Sequence, residues 1–205
     1  MYLSRVVLPE SVETVRLLAD WHRVHHAVLL SCPRGAERAL FRLEPPRRHD
    51  EGSTVIHVQC EHPPQWDESV WPTGTRFDTP KHLPSAFRLG YRLRFRLRAN
   101  PTVKRMAGGK NNGCREGILG EAAQLAWLRR KAEAGGFKVM SCLVVDEKQL
   151  EASKPTGQAL AFRSVLFEGV LEVTDPVAFV KTLQAGIGSG KAFGFGLLSL
   201  AKVCP

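Results

Sequence analysis

Residues 91–98 alternate without a break between apolar side chains (Tyr91, Leu93, Phe95, Leu97) and arginines (Arg92, Arg94, Arg96, Arg98). A helix would scatter both sets around its circumference, whereas the two-residue period of a strand puts one set on each face. The segment is therefore a strand with one apolar and one cationic face. The residues downstream of it fit a sheet built around that strand. EAAQLAWLRRKAEAGG (121–136) is a run of helix formers ending on Gly135-Gly136. FKVMSCLVV (137–145) and ALAFRSVLFEGVLEV (159–173) read as strands around a loop that holds Lys148, Lys154, Pro155 and Gly157. Asp175-Pro176 supplies an N-cap and first turn for a helix reaching about Ala185, and LLSLAKV (197–203) closes the chain as a strand. The order strand, helix, strand, strand, helix, strand is the split ferredoxin-like arrangement.

The first half repeats the beginning of that order. YLSRVVL (2–8) is strand-like, and Ser11 after Pro9 opens a helix. Val15, Leu18, His22, His25 and Leu29 recur at helical spacing, which predicts a single amphipathic helix to about Leu30. ALFRLE (39–44) and STVIHVQCE (53–61) flank the polar loop PPRRHDEG (45–52) as hairpin strands do. From 62 to 87 the chain is rich in Pro and Trp, and only a short helix near 64–71 and a weak strand are legible. The expected fold is α+β, with ferredoxin-like domains over 1–88 and 89–205 of the 205-residue chain.

An apolar fraction of 43% with 24% charged residues argues against disorder and against a membrane span or membrane partner. The N-terminal stretch, interrupted by Arg5 and stopped by Pro9, fits a strand better than a signal sequence, which predicts the cytoplasm. Cys32, Cys60, Cys114, Cys142 and Cys204 are widely spaced with no C-x-x-C pair, and are expected to be reduced, structurally incidental thiols. Lys and Arg outnumber Asp and Glu by 29 to 20, so a polyanion, above all nucleic acid, is the leading partner.

Three constellations carry chemistry. GIGSGKAFGFG (186–196) sets Gly186, Gly188, Gly190, Gly194 and Gly196 around Ser189 and Lys191, so bare backbone N–H groups and one ammonium can meet phosphate oxygens. The stretch has neither the spacing of a Walker loop nor a dinucleotide fingerprint, and the competing reading is a tight turn that lets helix and strand pack closely. His22-Arg23-Val24-His25-His26 places His22 and His26 one turn apart. No H-E-x-x-H pattern accompanies them, so proton exchange with a ribose 2′-hydroxyl or a leaving 5′-oxygen is favoured over metal binding, and no metal or other cofactor is expected. The bland reading is helix-surface histidines. The third is a basic set: the arginine strand with Arg92, Arg94, Arg96 and Arg98, then Lys104, Arg105, Lys110 and Arg115 in a Gly/Asn-rich loop, then Arg129, Arg130 and Lys131 on the helix. Alternate strand residues lie about 6.6 Å apart, suited to successive backbone phosphates. Aromatics that could stack on bases are sparse, which favours structured RNA over single strands.

Several segments together resemble the CasE family, the CRISPR RNA-processing endoribonucleases of type I-E systems. They are MYLSRVVL, the helix with His22-Arg23, FRLRANP (95–101), AWLRRK (126–131), VLFEGVLEV (165–173) and GIGSGKAFGFGLLSLA (186–201). The last fits G-h-G, five residues, G-h-G and then LLSLA. The resemblance implies tandem ferredoxin-like domains that bind the CRISPR repeat hairpin and cut at its 3′ base without metal, leaving a 5′-hydroxyl and a 2′,3′-cyclic phosphate. It implies His22 as principal catalytic group, a basic hairpin with Lys148 and Lys154 near the stem, and assembly with other Cascade subunits. Many relatives carry tyrosine three residues before the histidine, where this chain has Ala19. The helper group is then to be sought among His26, Arg23, Ser189 and Lys191. A non-cutting RNA-binding scaffold is the alternative.

Overall fold

A computed structural model of the chain describes residues 1–33, 39–44, 53–105, 114–153 and 159–203. The polar loop 45–52, Lys110, Lys154 with Pro155 and Gly157, and Cys204 lie outside the described residues. The chain forms two compact units, Met1–Ser85 with Lys191–Leu197, and Ala86–Gly190 with Leu198–Pro205. A single division at residue 88 therefore needs correcting: half of the glycine-rich stretch belongs to the first unit.

In unit 1, β1 (Tyr2–Leu8) is followed by α1 (Val12–Leu18) and α2 (Trp21–Ser31), then β2 (Leu40–Glu44) and β3 (Thr54–Cys60). β1 pairs antiparallel with β3, from Tyr2↔Cys60 to Leu8↔Thr54, and β3 pairs antiparallel with β2. The other side of β1 takes two short strands, β4 (Arg76–Phe77) and β5 (Lys81–His82). Val6, Leu8, Phe41, Ile56 and Val58 form a core with Leu17, Val24, Ala27 and Val28 of the two helices. Ser11 caps α1 as expected, accepting the Thr14 N–H at 3.1 Å.

The single long helix does not form. Asp20 adopts an extended backbone (φ −125°, ψ 102°), and its carboxylate accepts the His22 N–H at 2.9 Å, so a second helix starts there. That break resets the helical phase. Val15 and Leu29, predicted to face the core, are exposed, while Thr14, Leu17, Val24, Ala27 and Val28 are buried. His25 turns inward, its ring 6.3 Å from that of Phe41. Burial, and then the charges of His22 and His26, hold the His25 pKa below its usual 6.5.

In the Pro/Trp-rich stretch the short helix expected near 64–71 does not extend beyond a 3-10 turn at Glu68–Val70. Aromatic packing replaces it: Trp66 stacks on Phe77 at 4.7 Å, and the Trp71 indole N–H donates to Ser31 Oγ at 3.1 Å. The expectation of incidental thiols is also corrected. Cys32 and Cys60 form a disulfide across 28 residues, joining the C-cap of α2 to the end of β3. Closing a loop of that length restricts the unfolded chain by about 3–4 kcal/mol in chain-entropy terms.

Unit 2 contains β6 (Arg92–Ala99), a two-stranded ribbon of β7 (Thr102–Arg105) and β8 (Cys114–Gly117), α3 (Glu121–Ala134), β9 (Phe137–Ser153), β10 (Ala159–Val173), α4 (Pro176–Ala185) and β11 (Leu198–Lys202). The main sheet runs β11-β6-β10-β9, all antiparallel. Lys148 thus lies on a strand and not in a loop. The apolar face of β6 (Leu93, Phe95, Leu97) is buried with Trp127 and Leu128 of α3 and Phe179 and Leu183 of α4. Asp175 caps α4 by accepting the Val177 and Ala178 N–H groups, each at 3.0 Å. At Gly136 (φ +76°) a Cβ would collide with Asp175 O and come within 2.8 Å of Phe179 N, so only glycine lets α4 start there. Cys142 is a free thiol whose pKa burial pushes up to about 11, against the pull of Arg129. It is a packing residue with little thiolate character.

One polar contact fixes the returning segment of unit 1. Arg42 is 1% exposed; its Nε donates to Glu44 Oε1 at 2.6 Å and its Nη1 to Leu197 O at 3.0 Å. Arg42→Ala should lower stability in chemical denaturation by about 3–5 kcal/mol, because it leaves Glu44 charged and buried. The double change Arg42→Met with Glu44→Met should recover part of that loss, since the buried carboxylate is then removed together with its cation. His25 adds a pH dependence. Its folded pKa is below its unfolded value, so the native state binds fewer protons, and stability falls as pH drops from about 6.5 through the lowered value. Thermal denaturation between about pH 8 and pH 5 should show this slope, and His25→Gln should flatten it.

Candidate functional site

The first turn of α2 presents Trp21, His22 and Arg23 from a capped, packed helix. The segment Lys191–Leu197 lies against it within unit 1: a 3-10 turn at Lys191–Phe193 brings the Phe193 ring edge-on to His22, with centroids 5.9 Å apart and planes at 73°. Gly194 follows at φ +77°, where a Cβ would sit 3.2 Å from Phe41 Cε2 and 3.4 Å from Trp21 Cζ3. Leu197 is then gripped by Arg42. The structure therefore gathers His22, Phe193 and the turn bearing Lys191. The three histidines part company: His22 meets this turn, His25 faces the core, and exposed His26 lines a cleft with Arg16 and Arg23.

The glycine-rich stretch divides at 190/191. Gly186, Gly188, Gly190, Gly194 and Gly196 all have positive φ, which side-chain-bearing residues rarely adopt. In unit 2, a Cβ on Gly188 would come within 3.1 Å of the Trp127 ring, and Ser189 Oγ accepts from Asn100 Nδ2 at 3.4 Å. Both contacts fit the tight-turn reading of this half of the stretch.

The basic set proves heterogeneous. Neighbouring strands place carboxylates beside the arginines of β6: Arg92 pairs with Glu172 at 2.8 Å, Arg96 with Glu168, and Arg98 with Asp146 at 2.9 Å. Arg98 is buried and also donates to Ser164 Oγ, so its guanidinium is committed inside unit 2. Arg94, flanked by Val170 and Ala201, is the arginine of that face with no ion pair among the described residues. Lys104, Arg105 and Arg115 stand on the β7–β8 ribbon, not in an irregular loop. Lys104 is directly opposite Arg115, and Arg105 pairs with Glu116 at 3.0 Å. Like charges opposed across strands repel, a cost that a bound anion relieves. Arg129, Arg130 and Lys148 are exposed.

Sequence reasoning passed over Phe193 and Arg42. An aromatic set among glycines, and an arginine and a glutamate two apart within the apolar strand ALFRLE, were their signals. Among the described residues no three His, Cys, Asp or Glu side chains come together as a ligand set for a metal ion.

Comparison with known proteins agrees along the whole chain. The family model described as CRISPR associated protein matches residues 1–202. The CRISPR-associated endoribonuclease Cse3 of Thermus thermophilus is 37% identical over 98% of this chain and the whole of its own. The CRISPR system Cascade subunit CasE of Escherichia coli is 32% identical over 99% of this chain and the whole of its own. A structure of the Thermus thermophilus Cse3 bound to an RNA representing a pre-cleavage complex superimposes with a TM-score of 0.85 at 38% identity, covering 98% of each chain. With the family model matched almost end to end and relatives above 30% identity along its length, this chain belongs to the CasE family of CRISPR-associated proteins, of the type I-E systems.

Proposed function

We propose that this protein is an endoribonuclease that binds the hairpin of a CRISPR repeat and cuts precursor CRISPR RNA at its 3′ base by metal-independent 2′-hydroxyl attack. The observation that carries this is the His22 turn: a histidine on a capped helix, its ring in a T-shaped contact with Phe193 and the turn of Lys191 beside it. In the reaction the 2′-oxygen bonds to phosphorus while the bond from phosphorus to the 5′-oxygen breaks, giving a 2′,3′-cyclic phosphate and a 5′-hydroxyl. His22 removes the proton of the nucleophile or supplies the one the leaving oxygen needs. Lys191 offsets charge building on the phosphate. Ala19 has no proton to offer where many relatives have tyrosine, so the second proton transfer falls to Lys191, Ser189, His26, Arg23 or water.

For RNA binding we assign Lys104, Arg105, Arg115, Arg129, Arg130, Lys148 and Arg23, with Lys110 and Lys154 of the undescribed segments, and a supporting part for Arg96. Arg98 acts through the strand it holds. We read both units as ferredoxin-like domains. The order β11-β6-β10-β9 is fourth-first-third-second, and β2-β3-β1 with β4 and β5 repeats it in unit 1 with the fourth strand split. The Escherichia coli relative is a Cascade subunit, and we place this chain in an equivalent cytoplasmic complex.

His22→Ala should slow cleavage by about 10²- to 10⁴-fold with hairpin affinity nearly unchanged, since the Lys and Arg side chains assigned to the phosphates stay in place. Cutting should proceed in EDTA and stop when the nucleotide before the cut is 2′-deoxy. An RNA that shifts in a gel but stays whole would identify a scaffold instead. Lys104→Ala with Arg115→Ala should weaken binding and reduce the dependence of log affinity on log salt by about two units at most. An unchanged slope would take the ribbon out of the interface. Gly194→Val should impair cleavage while leaving the spectra of unit 2 intact, because valine suits neither the positive φ nor the space beside Phe41.

A further inference from the structure

A second concave surface lies on the helix turn that carries His22. α1, α2 and residues 69–73 enclose a cleft of about 420 Å³ lined by Arg16, Arg23, His26, Ser69, Trp71 and Thr73, with Leu17 and Ala27 beneath. The floor is apolar and already packed: Leu17, Ala27 and Trp71 are buried, and the Trp71 N–H is turned away to Ser31. The rim is cationic. Arg16 is exposed and has no ion pair among the described residues. Arg23 is only loosely matched, its Nε 3.8 Å from Asp20 Oδ2 with both side chains about half or more in solvent. The acid on the rim, Glu13, accepts the Thr73 N–H at 2.8 Å, which orients its carboxylate toward the backbone.

Two guanidinium groups and an imidazole over an apolar floor, with the Thr73 hydroxyl alongside and the Ser69 hydroxyl donating to Asp67 at 2.6 Å, match a phosphodiester and its ribose. The volume is that of a site for a small molecule, about 300–1,000 Å³, and excludes a paired stem. Arg23 directly follows His22 in the same turn of α2, so a strand leaving the scissile phosphate reaches the cleft at once. If the cut lies at the 3′ base of the hairpin, the nucleotide before it belongs to the stem, and the strand beyond it is unpaired. We infer that this cleft binds the single-stranded RNA immediately 3′ of the cut, with a phosphodiester between Arg16 and Arg23; the inference rests on the endoribonuclease reading above. Held there, the departing nucleotide keeps its 5′-oxygen in line for displacement. Once the bond breaks, this patch still holds the downstream fragment.

The test uses the full chain and repeat hairpins made uncleavable by a 2′-deoxy nucleotide before the cut. One hairpin ends at the cut; others extend it on the 3′ side by one, two or four nucleotides. For the wild type, extension should tighten binding by about two- to fivefold, as expected for a partly exposed ion pair. Arg16→Ala should abolish that gain and bind the hairpin that ends at the cut as the wild type does, while Arg16→Lys should keep most of the gain. The inference is overturned if extension brings the wild type no gain, if Arg16→Ala retains it, or if Arg16→Ala weakens all lengths equally. A wild type that fails to bind even the shortest hairpin overturns the endoribonuclease reading itself, and this inference with it.

Discussion

A guanidinium sealed from water cannot shed its proton, so every structure that buries one must surround it with acceptors. Arg42 meets that demand with Glu44, two residues along the same strand and therefore on the same face, and with the carbonyl of Leu197, 155 residues away. The distant acceptor is the consequential one. It pins Lys191–Leu197 into unit 1, and that segment carries Phe193 to His22 and Gly194 to the space beside Phe41. Glycines of positive φ at 194 and 196 let the chain make the necessary bends in so few residues. The candidate catalytic turn is thus held by a contact in the sheet and not only by the helix on which His22 sits.

Periodicity and caps were legible where they were local. The alternation of Arg92–Arg98, the cap at Asp175 and the glycine stop after α3 could be read directly, because each depends on neighbours within a few residues. The break at Asp20 was not read, since apolar positions at helical spacing continue on both sides of it. With the phase lost, the sequence could not say which histidine faced where. The Cys32–Cys60 pairing and the β7–β8 ribbon rest on contacts set by tertiary structure, for which spacing alone carries no signal. The split of the last strand of unit 1 into β4 and β5 belongs with these.

The arginine strand shows how one pattern can answer two needs. Its alternation defined a cationic face, yet the register with β10 sets Glu168 opposite Arg96 and Glu172 opposite Arg92. Those carboxylates were visible in VLFEGVLEV, but only the register says what they oppose. Exposure falls from Arg92 to Arg98, so the strand passes from surface charge to an internal tie within its length. Further cations stand on the ribbon and α3, where Arg105 meets Glu116, Lys104 lies opposite Arg115, and Arg129 and Arg130 are exposed.

The disulfide has a topological meaning as well as an energetic one. It closes a covalent ring that runs from the end of α2 through β2 and back along β3. A backbone severed anywhere between Cys32 and Cys60 leaves two fragments that remain one molecule. The helix bearing His22 stays tethered to the sheet that positions it, even after the chain linking them has been clipped.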